Sequence, residues 1–385
     1  MKMYDVIIVG AGAAGLTAAA AAVKNGKMVA ILEMGDAPAR KVRASGGGRC
    51  NITNTNAKYD RYFGQNPNFV RGTLSRVTPE DILTWAKQHN IALVEKNVGQ
   101  FFCKDGADVV VDALIHDAHG ADMFYNATVK EIKKSDNIFY VTADKQILTT
   151  QSVIVATGGI SFATLGVSDM GYKIAKSFGH KIIPVRPALC AISTNTFCPE
   201  LAGIAIDAQI TTGKHVIRDS LLFTHTGIGG PATYRATVRD ISCELKIDLL
   251  PGTDLKQILS DAKRTCGKKN TTAILSQYMP NKLAKWMTNN DTRNIADVKN
   301  TELDTLVKKV KHIALDTSQI KYHGMASAEV VRGGVDTNEV SSKTMESKLC
   351  PGLFFAGEVL DIAGDLGGFN LHWAWASGRV AGENA

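Results

Sequence analysis

Apolar runs and glycine-rich turns alternate at the start of the chain. The run Val6–Val9 has the pattern of a buried strand and leads into Gly10-Ala11-Gly12-Ala13-Ala14-Gly15. An alanine-rich stretch that favours a helix comes next. A second apolar run, Met28–Leu32, then ends in Glu33. Strand, helix and strand in this order predict a βαβ unit of the Rossmann type.

The glycine spacing predicts a turn that binds the pyrophosphate of a dinucleotide. The first glycine permits a tight turn, the second lets the ligand approach the backbone, and the third lets the helix pack on the strand. Free N–H groups at the helix start attract an anion. Glu33 follows the glycine turn by about twenty residues, which is the sequence separation at which a carboxylate binds the ribose hydroxyls of a dinucleotide. The same carboxylate would repel a 2′-phosphate. From this motif we expect contacts from Gly10, Gly12, Ala13, Ala14, Gly15 and Glu33.

Two further segments are suited to contact the same ligand. Arg40–Asn54 is a loop rich in glycine, arginine and serine, whose N–H groups can form a nest for anions; a flexible surface linker is the alternative. Gln151–Ala156 has the pattern of a buried strand and opens into glycines, where a ligand can approach closely. From these segments we expect contacts from Lys41, Ser45, Gly46, Gly48, Arg49, Cys50, Asn51, Ala156, Thr157, Gly158 and Gly159.

The last 35 residues predict a segment that returns to the same ligand. Gly352–Glu358 is a short apolar run that ends in glycine and an acid, and the turn Gly364–Asn370 precedes a predicted helix at Leu371–Ala381. Such a helix would direct free N–H groups at the anionic edge of a reduced flavin. A nicotinamide cofactor needs only the first motif, so the return favours FAD. Here the expected contacts are Gly357, Glu358, Asp361, Gly367, Gly368, Phe369 and Asn370.

The middle of the chain differs in pattern from both ends. Ile204–Thr211, Leu221–Thr224 and Cys243–Leu249 alternate as antiparallel strands do. Apolar spacing of three to four then predicts helices at Leu255–Arg264, Thr272–Tyr278, Lys282–Thr288 and Glu302–His312. We therefore expect an α/β protein with a discontinuous FAD-binding domain (1–187 and 343–385). A β-barrel-like domain (188–251 and 316–342) would be inserted in it, with a helical insertion (252–315).

Charge and cysteine content limit the partners. The whole net charge of +7 lies between Lys256 and Lys311, where twelve bases face five acids. This block is either a solvated helical face or a surface for an anionic partner. Because Tyr278 and Trp286 are its only tyrosine and tryptophan, we do not expect nucleic acid as a partner.

Seven scattered cysteines without a CxxC pair predict reduced thiols in a cytoplasmic protein and no metal site. Glycines interrupt the apolar run at the start, so we expect no membrane association.

The chain resembles the YhiN/BaiN-like NAD(P)/FAD-dependent oxidoreductases. The segments that carry the resemblance are Gly10–Gly15, Ala39–Asn54, Ala156–Gly159, Gly171–His180, Leu221–Pro231 and Thr344–Leu371. The resemblance implies an FAD-binding Rossmann-like domain with an inserted β-barrel-like domain and a helical insertion. Several positions depart from the family pattern, among them Ala163, Gly229, His372 and Arg332, so the resemblance does not fix the substrate.

The catalytic residues that we expect are His225, Arg332 and Cys50. His225 is either a general acid over the flavin or a structural histidine at a strand end, with His323 and His372 as weaker candidates. Arg332 would bind a substrate carboxylate or a nicotinamide phosphate, or else lie on the surface. Disulfide reductases of the flavoprotein class place two cysteines beside the flavin, whereas here we expect only Cys50 to be close, as a small buried or flavin-adjacent thiol and not as part of a redox dithiol.

Three functions remain open at this stage. The first is an FAD-dependent oxidoreductase that takes hydride from NAD(P)H and reduces a small organic substrate. No second dinucleotide motif is evident, so the nicotinamide would bind over the flavin and leave before the substrate enters. The second function is a flavin oxidase that transfers electrons from a small amine to O2. The third is an RNA-associated flavoprotein.

Overall fold

The computed structural model describes residues 2–97, 99–144, 146–239, 241 and 244–385. Its strands are β1 Met3–Val9, β2 Val29–Leu32, β3 Asn51–Asn54, β4 Tyr62–Phe63, β5 Leu93–Glu95, β6 Gln100–Cys103, β7 Asp122–Phe124, β8 Val129–Ser135, β9 Ile138–Ala143, β10 Gln146–Val155, β11 Ile182–Ala188, β12 Ile192–Ser193, β13 Ala205–Thr212, β14 His215–Phe223, β15 Gly227–Gly229, β16 Leu245–Asp248, β17 Ile313–Leu315, β18 Lys321–Tyr322, β19 Val330–Val335, β20 Leu353–Phe355 and β21 Ala363–Gly364. Its α-helices are α1 Ala13–Lys24, α2 Arg40–Gly48, α3 Val70–Arg76, α4 Pro79–Gln88, α5 Asp108–Asp117, α6 Met170–Ser177, α7 Gly230–Thr237, α8 Leu255–Thr265, α9 Thr271–Leu275, α10 Asn281–Met287, α11 Asn300–Lys311 and α12 Phe369–Asn384.

The chain folds into two units. The first comprises Met1–Pro187 and Met325–Ala385, and the second comprises Ala188–Gly324. The segment 325–342, which the sequence analysis grouped with the inserted domain, therefore belongs to the first unit. Pairing of β19 with β11 explains this placement, because β11 precedes the second unit in the chain.

A parallel sheet forms the centre of the first unit. Its parallel strands lie in the order β7-β2-β1-β10-β20, and β8 and β9 extend it as an antiparallel hairpin beside β10. Strands β1, β2 and β10 are rich in valine, isoleucine and leucine and are buried toward their carboxyl ends, as expected for a sheet covered on both faces. Their carboxyl ends lie at one edge, which is where ligands bind in open α/β sheets.

Helix α12 packs closely against α1 in this unit. A Cβ atom at Gly378 would overlap the backbone of Ala14, and one at Gly382 would overlap that of Ala18. These glycines let the two helix backbones approach each other, so the chain's last helix lies against the first. The start of α12 is thereby brought toward the first glycine turn.

The second unit is an antiparallel sheet with helices. Its strand order is β17-β16-β13-β14-β15-β12-β18. Helices α8 to α11 share a hydrophobic core with this sheet, through residues such as Leu255, Leu283 and Val310. The four helices that the sequence predicted are confirmed within a few residues at each end. Cys243, the first residue of one predicted strand, lies outside the described residues.

The expected fold class is confirmed: an α/β protein with a Rossmann-type domain and an additional sheet domain. Among the described residues, no helix is both long enough and apolar enough to cross a membrane.

Candidate functional site

The turn between β1 and α1 leaves space for a ligand at one glycine only. A Cβ atom at Gly10 would lie 2.7 Å from the carbonyl oxygen of Ala156, and one at Gly15 would overlap the backbone of Gly10. A Cβ atom at Gly12 would have no neighbour within 4 Å. Gly12 caps α1 without a side chain, so the first N–H groups of the helix, at Ala13 and Ala14, face this space. The turn therefore has the geometry of the anion site that the sequence predicts.

Glu33 follows β2 and holds the turn in place. Its carboxylate accepts hydrogen bonds from the backbone N–H groups of Ala11 and Gly35, both at 2.8 Å. Each carboxylate oxygen keeps further acceptor capacity, which a ribose hydroxyl could use. The glutamate thus fixes the glycine turn to the end of the neighbouring strand.

The glycine-rich segment after Glu33 begins as a helix and not as the loop that the sequence suggests. Helix α2 starts beside the first turn, where the N–H of Ala39 donates to the carbonyl of Ala11 at 2.9 Å. The helix is interrupted at Ser45–Gly47, where Gly46 and Gly47 have positive φ. Cβ atoms at Gly47 and Gly48 would have no neighbour within 4 Å. This segment therefore offers a second open stretch of backbone, followed by Arg49, Cys50 and Asn51.

Lys41, in α2, pairs with Glu358 from the end of the chain. The Lys41 Nζ atom lies 2.7 Å from Glu358 Oε2 and 2.9 Å from Ser161 Oγ. Glu358 also accepts a hydrogen bond from the N–H of Val331 at 2.9 Å. A Cβ atom at Gly159 would lie 2.8 Å from Glu358 Oε1. Three segments predicted to contact the cofactor thus meet at this ion pair.

The strand end at β10 lies beside the first glycine turn. Thr157 Cα would be 3.1 Å from a Cβ atom at Gly10. Gly158 has a φ of +73° and open space around its Cβ position. Parallel pairing of β1 with β10 therefore brings the two glycine turns together at the same edge of the sheet.

The segment Gly357–Asn370 is ordered by its own polar groups. The buried carboxylate of Asp361 accepts from the N–H groups of Gln65 at 2.8 Å and Gly333 at 3.0 Å. Asn370 Oδ1 accepts from the N–H of Gly364 at 2.7 Å. Gly367 and Gly368 have positive φ, and Gly368 caps α12 without a side chain just before Phe369. Asp361 thus joins two backbone segments, and the start of α12 presents free N–H groups.

Cys50 is buried and has a cysteine neighbour. The N–H of Cys103, at the end of β6, donates to the carbonyl of Cys50 at 3.3 Å. The sequence analysis counted only Cys50 near the flavin, because the pairing of β3 with β6 is not visible in a local motif. Burial raises the pKa of the Cys50 thiol to about 12, and burial raises the pKa of Cys103 as well. Neither thiol is therefore poised as a thiolate.

Glu329 is a candidate site residue that sequence reasoning missed. It precedes β19, and its backbone carbonyl accepts a hydrogen bond from Ser161 Oγ at 3.2 Å. Among the described residues its carboxyl group has no ion pair or hydrogen bond. Burial raises the pKa of this carboxyl, and the positive charge of Lys41 offsets part of that rise. The resulting pKa is about 6. The only signal in the sequence is an isolated acid directly before the apolar pair Val330-Val331.

Tyr172, in α6, is a second polar residue that the sequence did not indicate. Its hydroxyl is buried and has no hydrogen-bond partner among the residues that the structure describes. Burial raises the pKa of this phenol, and the negative charges of Glu358 and Asp361 raise it further. The group is therefore a neutral donor next to the carboxylates of the returning segment.

These residues fit an FAD molecule. The pyrophosphate would face the open backbone at Gly12, where α1 begins. The Oδ1 atom of Asn51 is buried without a partner, next to the start of α12, and can accept a hydrogen bond from a bound ligand. A buried acceptor without a partner is costly unless a ligand or water satisfies it. The orphaned acceptor and the open glycines are the features that a bound dinucleotide would complete.

The expected catalytic residues lie in both units. His225 lies in the second unit, exposed in the turn between β14 and β15, and makes no hydrogen bond with the described residues. Arg332 lies half-buried in β19 of the first unit. His372, in α12, is a structural residue: its ring nitrogens contact Thr53 Oγ1 at 2.8 Å and the Val77 carbonyl at 3.1 Å. Burial lowers its pKa to about 4, so it is neutral near pH 7.

His225 lines a cavity within the second unit. The cavity has a volume of about 690 Å³. Its wall includes Trp286, Thr226 and Lys321, together with the segment Ser193–Pro199. The Nε2 atom of His323 lies 3.1 Å from Thr226 Oγ1, so this second histidine helps to hold the turn. The wall of the cavity thus combines the Trp286 ring, the Lys321 ammonium group and several threonine and serine hydroxyl groups.

Comparison with known proteins gives the family. The model of the HI0933-like protein Rossmann domain matches residues 4–384. The chain belongs to this family. It is 36% identical to the ribosomal RNA dihydrouridine synthase of Escherichia coli, over 100% of this chain and 98% of that protein. It is 38% identical to the protein of the same name from Haemophilus influenzae, over 98% and 97% of the two chains.

A third relative carries a different name. The chain is 29% identical to the 3-dehydro-bile acid delta(4,6)-reductase of Clostridium scindens, over 100% of this chain and 99% of that protein. The resemblance to YhiN/BaiN-like FAD oxidoreductases is thereby confirmed. The protein is accordingly an oxidoreductase of an FAD-binding family.

Proposed function

We propose that this protein is an FAD-dependent reductase that saturates the C5=C6 bond of a uracil base in ribosomal RNA, with NAD(P)H as the electron donor. The observation that carries the proposal is the full-length identity of 36% and 38% to two ribosomal RNA dihydrouridine synthases. Because of this identity we propose RNA as the substrate and not a small organic molecule, although the charge pattern alone did not favour RNA. The proposed compartment is the cytoplasm.

The names of the relatives describe one type of reaction. A dihydrouridine synthase and a bile acid delta(4,6)-reductase both remove a carbon–carbon double bond conjugated to a carbonyl group. In uracil, a hydride adds to C6, a proton adds to C5, and the electrons of the double bond form the new C–H bond at C5. Bound FAD, once reduced by NAD(P)H, would supply the hydride and return to its oxidised form.

The proposed proton donor to C5 is Glu329. Its carboxyl group has a pKa of about 6, so a useful fraction carries a proton near neutral pH. The nearby charges of Lys41 and Glu358 cancel in an ion pair. The surroundings of the Glu329 carboxyl therefore carry no net charge from these two residues. His225, the donor that the sequence suggested, is the alternative, and it lies in the second unit. The two are separable because each can be substituted without changing the other.

The second unit offers a surface suited to RNA. Six of the twelve bases between Lys256 and Lys311 are held by ion pairs or hydrogen bonds within the unit. The other six are exposed and form no ion pair with the described residues: Lys268, Lys269, Lys282, Lys285, Lys299 and Lys308. Lys282 and Lys285 precede Trp286, which lines the cavity, in helix α10. Phosphates would bind the lysines, and a base would stack on the tryptophan.

Anaerobic flavin absorbance tests the electron path. The purified holoprotein is mixed with NADPH or NADH, and then with ribosomal RNA that lacks dihydrouridine. We expect bleaching by a nicotinamide and recovery of the oxidised spectrum on addition of RNA. Bleaching without recovery would remove RNA as the electron acceptor. Absence of bleaching by both nicotinamides, with peroxide formed from an amine in air, would favour the oxidase instead.

A further inference from the structure

We infer that the C-terminal ends of α4 and α5 form a binding site for a divalent transition-metal ion of the zinc type, held by His89, His116 and Asp117. The candidate ligand atoms of the three residues all lie within 4.8 Å of one another. His89 Nε2 is 3.0 Å from Asp117 Oδ1, and His116 Nδ1 is 3.5 Å from the same oxygen. The cysteine spacing alone predicted no metal site, and these two histidines and the aspartate lie outside that pattern.

The spacing of these atoms is compatible with tetrahedral coordination. Zinc binds histidine nitrogen and carboxylate oxygen at about 2.1 Å, which places neighbouring ligand atoms roughly 3.4 Å apart. Two of the separations are already close to this value. The His116 side chain is 79% exposed and can rotate to shorten the remaining separation, between its ligand nitrogen and that of His89. No backbone movement is needed, since only a surface side chain must adjust.

Two helix ends favour a cation at this position. Helix α4 ends at Gln88 with His89 as its C-cap residue, and α5 ends at Asp117. The C-terminus of a helix carries a partial negative charge from carbonyl groups that lack helical partners. The two negative ends therefore add to the charge of the Asp117 carboxylate.

Trp85 orients the proposed ligands. Its Nε1–H donates to Asp117 Oδ2 at 2.6 Å and so fixes the carboxylate. His89 Nε2 faces both carboxylate oxygens, at 3.0 Å from Oδ1 and 3.1 Å from Oδ2, and His116 Nδ1 faces Oδ1. The Trp85 ring centroid lies 5.0 Å from that of His89 and limits the rotation of the imidazole. Hydrogen bonds that orient metal ligands in this way are a regular feature of metal sites. In contrast, the His116 ring contacts only Asp117 and His89 among the residues that the structure describes.

The ligand set selects the class of metal. Two imidazoles and one carboxylate suit Zn²⁺ and its first-row neighbours, whereas Mg²⁺ and Ca²⁺ prefer oxygen ligands. A water molecule would complete the coordination. The ion would join α4 to α5 and stabilise the first unit in proportion to its binding, because the unfolded chain does not bring the three ligands together.

The test is calorimetric titration of Zn²⁺ into the full-length holoprotein, freed of any histidine tag and of bound metal. We expect one ion per chain with micromolar or tighter affinity. His116→Gln should weaken it about tenfold or more. His89→Gln should do the same. His119→Gln, at an exposed histidine just beyond Asp117, is the matched control and should bind like the wild type, as should Cys266→Ser at an exposed thiol.

Cobalt provides a readout that does not depend on heat signals. Co²⁺ in a site of this type should show a ligand-field absorption band that Zn²⁺ displaces and that His116→Gln lacks. His116 is exposed, so this variant should keep the wild-type unfolding temperature without metal and the same flavin content. Equal Zn²⁺ binding in His116→Gln and the wild type would overturn the inference. The inference would also be overturned if the wild type bound Zn²⁺ more weakly than millimolar, or if Cys266→Ser lost Zn²⁺ binding.

Discussion

Lys41 Nζ lies 2.7 Å from Glu358 Oε2, which joins the second predicted cofactor segment to the returning end of the chain. Both side chains are more than half buried, with exposed fractions of 31% and 17%. The pair also lies close enough to Glu329 for the lysine charge to lower the pKa of that carboxyl. One ion pair thus links the proposed cofactor site to the proposed proton donor.

Gly12→Val should abolish FAD binding without unfolding the protein. Gly12 has an extended conformation that any residue adopts, and a Cβ atom there meets no protein atom within 4 Å. The added side chain would occupy the space of the pyrophosphate. The measurement is flavin absorbance per chain after purification, together with the unfolding temperature of the cofactor-free protein.

Gly15→Val is the contrasting variant. Its side chain would overlap the backbone of Gly10, so we expect loss of the fold itself. If Gly12→Val kept a full complement of FAD, the proposed position of the pyrophosphate would be wrong.

Glu329→Gln should slow reduction of the substrate and leave reduction of the flavin intact. An amide cannot donate the proton, and a positioned general acid is worth about 10²–10⁴ in rate. In the wild type, substrate reduction should fall as the pH rises through about 6, because the carboxyl loses its proton. Stopped-flow measurement of both half-reactions across pH checks this. A glutamine variant that kept both the rate and the pH profile would assign the proton to another residue.

Stability gives an independent measure of the same carboxyl. Its pKa rises from 4.5 to about 6 on folding, so the folded state binds the proton more tightly. This contribution is fully present below pH 4.5 and is lost as the pH rises through 6, a change of about 2 kcal/mol. Glu329→Gln should therefore be more stable than the wild type at pH 8 and similar to it at pH 4.5. Denaturant unfolding at both pH values tests this, and equal differences would contradict the raised pKa.

Local sequence was sufficient for much of the fold. The spacing at Gly10, Gly12 and Gly15 predicted the turn and α1, and apolar periodicity predicted α8 to α11. Features set by distant pairing were not visible. The neighbour of Cys50 depends on β3 meeting β6, and the assignment of residues 325–342 depends on β19 meeting β11. In α2, the glycines predicted a loop because they disfavour helix, and they do interrupt the helix at Ser45–Gly47; the helical turn at Arg40–Ala44 before them was missed.

Lys282→Gln combined with Lys285→Gln should weaken RNA binding and reduce its salt dependence. Each phosphate contact contributes about 0.7 to the slope of log affinity against log salt for a single strand, so the slope should fall by roughly 1.4. Lys24→Gln with Lys27→Gln removes the same charge from an exposed surface of the first unit and is the matched control. Binding to a ribosomal RNA fragment at several salt concentrations checks this. An identical slope in both double variants would exclude α10 from the RNA surface.

Cys50→Ala should retain reductase activity within a few-fold. The Cys50 thiol is buried with a pKa raised to about 12, so it holds its proton and is a poor nucleophile. Alkylation of the native protein at pH 8 should label the exposed Cys266 well before Cys50. Peptide mass spectrometry after brief alkylation gives the order. Rapid labelling of Cys50, or loss of activity in Cys50→Ala with FAD still bound, would restore a chemical role for the thiol.

The most direct test of the proposed function is the product itself. Ribosomal RNA lacking dihydrouridine is incubated with the holoprotein and NADPH or NADH, digested to nucleosides and analysed by mass spectrometry, with Gly12→Val as the cofactor-free control. The account predicts dihydrouridine, at two hydrogens above uridine in mass, only with the wild-type protein and a nicotinamide. Unchanged uridine, with a flavin that the same nicotinamide reduces, would contradict ribosomal RNA as the substrate.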